Sequence, residues 1–346
     1  MRFYSDQHAF YCGVDLHART MSLCVLDERG DVRLEKTAKT GRDRFLRLVE
    51  PFGNKLVVAA ECVFCWYWLA DLCADRQINF VLGHALYMKA IHGGKAKNDR
   101  IDAEKIARLL RGGNLPMAYV YPREKRSTRD LLRRRTFLVR RRAEALGHIT
   151  NTHSQYNLPP AGPLYRKALR ADVVSRFDDE SVRRMIAADV TLVDHYDDII
   201  RELENHLERH AKIHDPYTYQ LLRSVPGIGR VLALVILYEI DTIERFPSVG
   251  QFVSYCRLVK CAHESAGKKL GSGGSKIGNA HLKWAFSEVV PLMMRDCEQA
   301  RRFVQRRERK VGKGKAMSIL AARIARAVYH MLKRKKPFDI NTFFAH

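Results

Sequence analysis

The chain has 346 residues, 46% of them apolar and 11 of them proline, a globular composition with room for two or three domains. Its 61 Lys and Arg against 38 Asp and Glu leave a formal charge of +23, which points away from an ordinary mixed-sign surface and toward a polyanionic partner such as nucleic acid. The longest apolar run, 231–240, is too short to span a bilayer, and no basic flank followed by an apolar run opens the chain.

In chain order, FYCGVD at 10–15 and MSLCVLD at 21–27 read as strands, and the turn signal ERGD at 28–31 precedes a third, VRLEKT. A helix over about 41–50, a strand over 55–61 (KLVVAAE), a helix over 64–76 and a strand over 78–83 follow. Strands first, then helix and strand in alternation, predict an α/β layer with a mixed sheet. Helical periodicity returns over 99–110 and stops at RGGN. The eight cysteines show no framework spacing and suit reduced thiols in a cytosol. Cys62 and Cys65 form a lone C-x-x-C with no second pair and read as core.

Residues 123–142 hold ten basic side chains and two acidic ones. Arg133, Arg134 and Arg135 recur seven residues later as Arg140, Arg141 and Arg142, so both blocks return to one side of a helix. With so few acids in the run, a face that binds a phosphate backbone is expected rather than a merely solvated one. NTHSQYNLPPAGP at 151–163 breaks the pattern and marks the first domain boundary.

Leu192, Tyr196, Ile199, Leu203, Leu207 and His210 then draw a narrow apolar seam, suited either to antiparallel pairing within the chain or to a partner subunit. LLRSVPGIGRVLALVILYEI at 221–240 reads as a helix–hairpin–helix. Its Gly227 and Gly229 either let backbone N–H groups approach a phosphate or simply turn the chain. The Gly-, Ser- and Lys-rich segment 257–283 is expected to be an irregular loop. Residues 301–315, eight basic against one acidic, precede a last helix over about 316–333.

Four carboxylates stand out by position. Asp15 and Glu61 each end an apolar strand, a common place for a site in an α/β fold. Asp99 and Asp102 open a helix three residues apart, on one face. Together they offer the oxygen ligands a hard cation such as Mg²⁺ requires, and paired ions can activate a nucleophile and stabilise the leaving oxygen of a phosphodiester. Each also has a plainer reading. Asp99 as N-cap with Asp102 at N3 makes a capping arrangement favoured by the helix dipole, and Asp15 can open a turn. Glu61, after five apolar residues, is harder to explain that way.

The order D…E…DxxD in a strand-first α/β domain resembles the RuvC-type Holliday-junction resolvases. GVDLHARTMSLCVLDERG, AAEC, KNDRIDAEKIARLL, LLRSVPGIG, HESAGKKLG and SKIGNAHLKWAF span nearly the whole chain in that order. They resemble the successive signatures of the DEDD-type insertion-sequence transposases, a family that includes the Piv pilin-gene invertase. The resemblance implies an α/β plus α protein in three parts. These are a RuvC-like (ribonuclease-H-like) mixed-sheet domain over 1–150, a helical coiled-coil region over 151–215 and a mainly helical transposase domain over 216–346.

It also places the family's acidic tetrad on Asp15, Glu61, Asp99 and Asp102, holding one or two Mg²⁺ or Mn²⁺ ions, and its nucleophilic serine on Ser265 in HESAG. The family's Glu-Ser-Gly here reads Glu-Ser-Ala-Gly, which leaves Ser272 and Ser275 of the same segment as alternatives. Lys268 and Lys269 beside Ser265 suit stabilisation of charge on phosphorus, whereas a lone loop serine usually makes only a local backbone hydrogen bond. Lys97 of the KND motif joins the arginines above as a nucleic-acid contact.

For function, the resemblance implies a cytoplasmic bacterial or archaeal recombinase that cuts and rejoins donor and target double-stranded DNA through a 5′-phosphoserine link. A structured non-coding bridge RNA would set the sites, and the protein would act as a homo-oligomer, a dimer of dimers, with sites shared across subunits. Two other readings compete with it. One is a metal-dependent structure-specific nuclease in which the tetrad directs water and the serine is incidental. The other is a non-catalytic nucleic-acid-binding protein whose acids are only caps.

Overall fold

The structure, a computed structural model, describes residues 2–91, 98–259, 261–265, 268–273 and 277–345. The chain divides into two compact units, Met1–Arg123 and Glu124–His346.

The first unit runs β1 (Phe3–Tyr4), β2 (Phe10–Leu16), β3 (Thr20–Asp27), β4 (Val32–Lys39), α1 (Arg42–Val49), β5 (Leu56–Glu61), α2 (Tyr67–Asp75), β6 (Asn79–Gly83), α3 (Ala85–Ile91), α4 (Asp99–Arg111) and β7 (Leu115–Pro116). Five strands form the mixed sheet the chain order predicts, in the order β4-β3-β2-β5-β6. β2, β3 and β4 are antiparallel neighbours, while β5 and β6 continue parallel to β2. Side chains alternate along a strand. Cys12, Val14 and Leu16 therefore share one face with Val58 and Ala60, beneath Phe45 of α1 and Leu69 and Leu72 of α2. Tyr11, Val57 and Ala59 share the other face, against Ile106, Leu109 and Leu110 of α4.

Gly13 lies on that second face, where α4 comes closest. A Cβ at Gly13 would stand 2.1 Å from Ala103 O and 2.4 Å from Ala107 N. Both obstacles are backbone, so no side-chain motion relieves the clash, and the small buried Ala103 and Ala107 are what permit the approach. Gly13→Ala is expected to destabilise the protein by about 1–3 kcal/mol through overpacking, read as a lower urea midpoint. It should also weaken divalent-ion binding, because α4 carries two of the four acids.

The second unit is helical: α5 (Arg123–Gln155, opening on the last residue of the first unit), α6 (Glu180–His214), α7 (Pro216–Arg223), α8 (Arg230–Ile240) and α9 (Val249–Tyr255). Two strands follow, β8 (Cys261–Ser265) and β9 (Lys268–Gly273), then α10 (Ala280–Asp296), α11 (Glu298–Val311), α12 (Lys313–Arg334) and α13 (Ile340–Phe344). Every residue of α8 from Leu232 to Ile240 is buried, as an all-round apolar helix requires. Its core also takes Leu282, Phe286 and Val289 of α10 and Leu320, Ile324 and Val328 of α12. Among the described residues no helix is long and apolar enough to cross a membrane.

Four sequence readings change. The basic helix runs on to Gln155, past the break read at 151, because Ile149 packs with Leu164, Val173, Phe177 and Ile186, and the His153 ring meets Phe177 at 4.9 Å. On α6 the buried line is Val182, Ile186, Val193, Ile200 and Leu207, while Leu192 is 46% exposed. Apolar doublets at 192–193 and 199–200 draw two adjacent stripes, and the chain buries the second. The segment 257–283 is not an irregular loop throughout, since β8 and β9 pair antiparallel with a bulge between His263 and Glu264. Backbone pairing of that kind needs no apolar alternation. Cys62, read as core, is exposed.

Candidate active site

β2 and β5 are parallel neighbours, with Val14 opposite Ala60. Asp15 and Glu61 are the next residues of each, so both acids emerge at the carboxyl edge of the sheet. By alternation they follow Gly13 and Ala59 onto the face that α4 covers. Asp99 and Asp102 stand in the first turn of α4.

Asn98, not Asp99, caps that helix. Its side chain accepts from Arg100 N at 3.0 Å, and its carbonyl accepts from Asp102 N at 2.9 Å. The cap that would explain Asp99 is thus already filled, and the Asp99 carboxylate is left to other partners. One is His17, whose Nε2 lies 3.3 Å from Asp15 Oδ2 and 3.9 Å from Asp99 Oδ1. Asp15, His17 and Asp99 each present a ligand atom, all within 4.8 Å of one another.

Burial pushes the Asp15 carboxyl up from its ordinary range; His17 pulls it back, and the like charges of Asp99 and Asp102 push it further up. Asp102 turns partly aside, its Oδ1 accepting from Lys105 Nζ at 3.2 Å. Two carboxylates and an imidazole are a fitting donor set for a divalent cation, and the imidazole favours Mn²⁺ more than it does Mg²⁺. Asp102 is near enough for its charge to act on Asp15, and Glu61 ends the strand beside that of Asp15, but neither belongs to the group of three.

Sequence reasoning missed His17. The signal was there, because Asp15-x-His17 at a strand end puts both residues on one side by the period of two. Nearby, Cys65 Sγ donates to Leu16 O at 3.1 Å, and burial, with the Asp15 charge, pushes its thiol up.

In the second unit Ser265 closes β8 opposite Lys268 of β9, with Lys269 opposite Glu264 and Ser272 opposite Ala262. Lys268 is exposed. Ser275 and Lys97 lie outside the described residues.

Comparison with known proteins settles the family. The model for DEDD-type IS110 transposases matches residues 12–157, and that for the transposase IS116/IS110/IS902 family matches 219–305. The chain belongs to the IS110-type DEDD transposases. The transposase for insertion sequence element IS1111A of Coxiella burnetii is 23% identical over 94% of this chain and 90% of its own length. The transposase for element IS1328 of Yersinia enterocolitica is 28% identical over 83% and 84%.

Within this transposase the two arginine blocks divide. Arg133 donates from Nε to Glu239 Oε1 at 2.7 Å and from Nη2 to Oε2 at 3.0 Å, and Arg129 adds a forked pair to Oε2 at 3.1 and 3.0 Å. Arg135 is paired with Glu204, and Arg142 with Asp197 at 2.5 Å. The acids missing from the local run are supplied by α6 and α8, which a one-dimensional charge count cannot see. Arg133, Arg135 and Arg142, expected on a phosphate-binding face, thus tie α5 to α8 and α6 within the helical unit. Arg134, Arg140 and Arg141 are exposed. The guanidiniums of Arg134 and Arg141 sit 4.7 and 4.9 Å from the ring of Phe137, itself 38% exposed.

Glu239 is 1% exposed. Burial alone would push its carboxyl up, but the hydrogen bonds of Arg133 and the charges of Arg129 and Arg133 prevail and hold it down at about 2. Glu239→Ala strands two guanidiniums and is expected to cost about 3–5 kcal/mol in chemical denaturation. With a depressed native value, the stabilisation is complete above the ordinary glutamate range near 4.5 and is lost as pH falls through about 2. Acid unfolding of the wild type should therefore show a component below pH 4 that Glu239→Gln lacks.

The turn at 224–229 joins α7 to α8. Gly227 needs glycine for two reasons: its φ is +86°, and a Cβ would stand 2.7 Å from Met293 N and Val289 O of α10. Glycine there lets the turn pack against α10. Gly229, the residue before α8, faces open space.

Proposed function

We propose that this transposase cuts and rejoins DNA using Ser265 as nucleophile, Mg²⁺ held at the cluster of Asp15, His17, Asp99, Glu61 and Asp102, and a bridge RNA to choose donor and target sites. The observation that carries the reading is the convergence of Asp15, His17 and Asp99 at the sheet edge while Asn98 takes the helix cap. A divalent cation bound there supplies Lewis-acid stabilisation of the oxygen leaving phosphorus. Asp15, the most enclosed of the three, orients the cluster, and His17 bridges it to Asp99.

The serine hydroxyl forms the new O–P bond, giving a 5′-phosphoserine link, as the bond from phosphorus to the 3′ oxygen breaks. The hydroxyl's proton is lost to a base and the departing 3′ oxygen takes one up, so one phosphoester replaces another and nothing is oxidised or reduced. Rejoining is the same exchange in reverse. Lys268 and Lys269 would offset charge on the phosphoryl oxygens. Arg134, Arg140 and Arg141, with Phe137 offering a ring for stacking, form a better backbone-binding face than the full arginine run, and Gly229 has the room for a phosphate that Gly227 lacks.

The three-part organisation over 1–150, 151–215 and 216–346, the tetramer and the cytoplasmic setting belong to the same proposal. The net charge of +23 supports a partner set of RNA and DNA together.

Product identity tests it. With a plasmid carrying the element's ends and the transcript of the neighbouring non-coding segment, protein covalently attached to 5′ DNA ends is expected. Free 5′-phosphate ends without attached protein would favour the metal-dependent nuclease instead.

A further inference from the structure

Between α9 and α10 the chain leaves the helical core, passes through β8 and β9, and returns. The points of departure and return are stitched together. Asn279 N–H donates to Tyr255 O at 2.6 Å, and Arg257 Nε donates to Gly278 O at 2.9 Å. Gly278, with φ +99°, would bring a Cβ to 2.6 Å from Tyr255 O, so only glycine lets the two stems come this close.

The Asn279 side chain caps α10, reaches Glu239 and also donates to Tyr255 Oη at 3.4 Å. Its Oδ1 accepts from His281 N and Leu282 N at 2.9 and 3.1 Å, capping α10. Its Nδ2 donates to Glu239 Oε2 at 2.7 Å. That carboxylate is the one clamped by Arg129 and Arg133, so a polar chain runs α5 to α8 to α10 through an otherwise apolar core.

A cap needs only an acceptor, and Ser, Thr or Asp would serve equally at position 279. Holding Glu239 as well requires a donor with reach, which among the common caps only Asn has. A buried charge cluster is also a poor way simply to hold helices together, because apolar residues of equal volume commonly do as well or better. What the cluster adds is direction: it fixes one atom of the returning stem against a carboxylate that two guanidiniums immobilise.

We propose that Glu239 and Asn279 are positioning residues that fix the base of the β8–β9 hairpin and so preorganise Ser265. This rests on the reading of Ser265 as nucleophile. Misplacement of a reacting group by about 1 Å costs roughly 10²-fold in rate.

The test uses the full-length protein with the plasmid and transcript named above. Asn279→Ser keeps the cap acceptor and, with its shorter side chain, takes the donor out of reach of Glu239. Covalent adduct formation is expected to slow by roughly 10–100-fold, with melting temperature, Mn²⁺ binding and DNA affinity near wild type. Asn279→Asp, which sets two carboxylates against each other, should slow it further.

Wild-type adduct formation by Asn279→Ser would overturn the proposal. So would parallel losses of stability, DNA affinity and rate in Asn279→Ser, since those mark a structural role alone. If the wild type itself forms no adduct, the nucleophile reading fails and takes this one with it. An adduct in the wild type with an unchanged rate in Asn279→Ser defeats this inference only.

Discussion

Ser265→Ala is expected to form no covalent protein–DNA adduct and to lose strand exchange by roughly 10⁴-fold or more, the scale on which enzymes lose activity when an attacking hydroxyl is removed. On the proposed mechanism the substitution removes the atom that accepts the phosphoryl group, so the loss should fall on kcat while DNA affinity and divalent-ion binding stay at wild-type levels. Fluorescence anisotropy on labelled element ends and denaturing gels for the adduct separate these quantities. The Glu-Ser-Ala-Gly spelling of this segment makes Ser272 the informative control. It sits opposite Ala262, several residues along β9 from the Ser265–Lys268 pair. Ser272→Ala is expected to keep the adduct. An adduct retained by Ser265→Ala and lost by Ser272→Ala would move the nucleophile along the hairpin without disturbing the acidic cluster.

Asp15→Asn is expected to cut DNA cleavage by on the order of 10³-fold, because a metal's stabilisation of the departing oxygen is worth several kcal/mol and each 1.4 kcal/mol is tenfold in rate. The fold should survive. Asp15 is pushed toward its protonated form by burial and by Asp99 and Asp102. A neutral isostere therefore relieves like-charge repulsion, and the melting temperature of the metal-free protein should hold or rise. Stability and activity moving in opposite directions is the signature of a residue kept for its chemistry. A parallel fall in both would instead make Asp15 a structural acid.

The sheet was legible in the sequence because its strands are short apolar runs bounded by turn residues, and because chain order alone separates the antiparallel meander from the parallel β5 and β6. The acids were legible by position at strand ends and at a helix start. His17 was overlooked because a single histidine just past a strand reads as surface, and only the approach of α4 gives it a second carboxylate. The approach itself was written in Gly13, Ala103 and Ala107, but a small residue in a strand does not name its partner.

The arginine run shows the opposite failure. Charge counted along one helix suggested an open cationic face, whereas Glu204 and Asp197 of α6 and Glu239 of α8 reach across to neutralise half of it. Glu239 itself stood in plain view as the one acid in VLALVILYEI. An acid inside so apolar a helix must have partners, and the nearest cations in excess were those of α5. The β8–β9 hairpin was not legible at all, since its glycines and lysines carry no alternation and its pairing is made by backbone.

Titration of the purified protein with Mn²⁺, followed by electron paramagnetic resonance, tests the central claim most directly, because it reads the cluster without DNA, RNA or turnover. One or two bound ions are expected per chain, with affinity lost in Asp15→Asn and Asp99→Ala, reduced in His17→Ala, and unchanged in Ser265→Ala. Binding that survives the loss of both Asp15 and Asp99 would contradict the account.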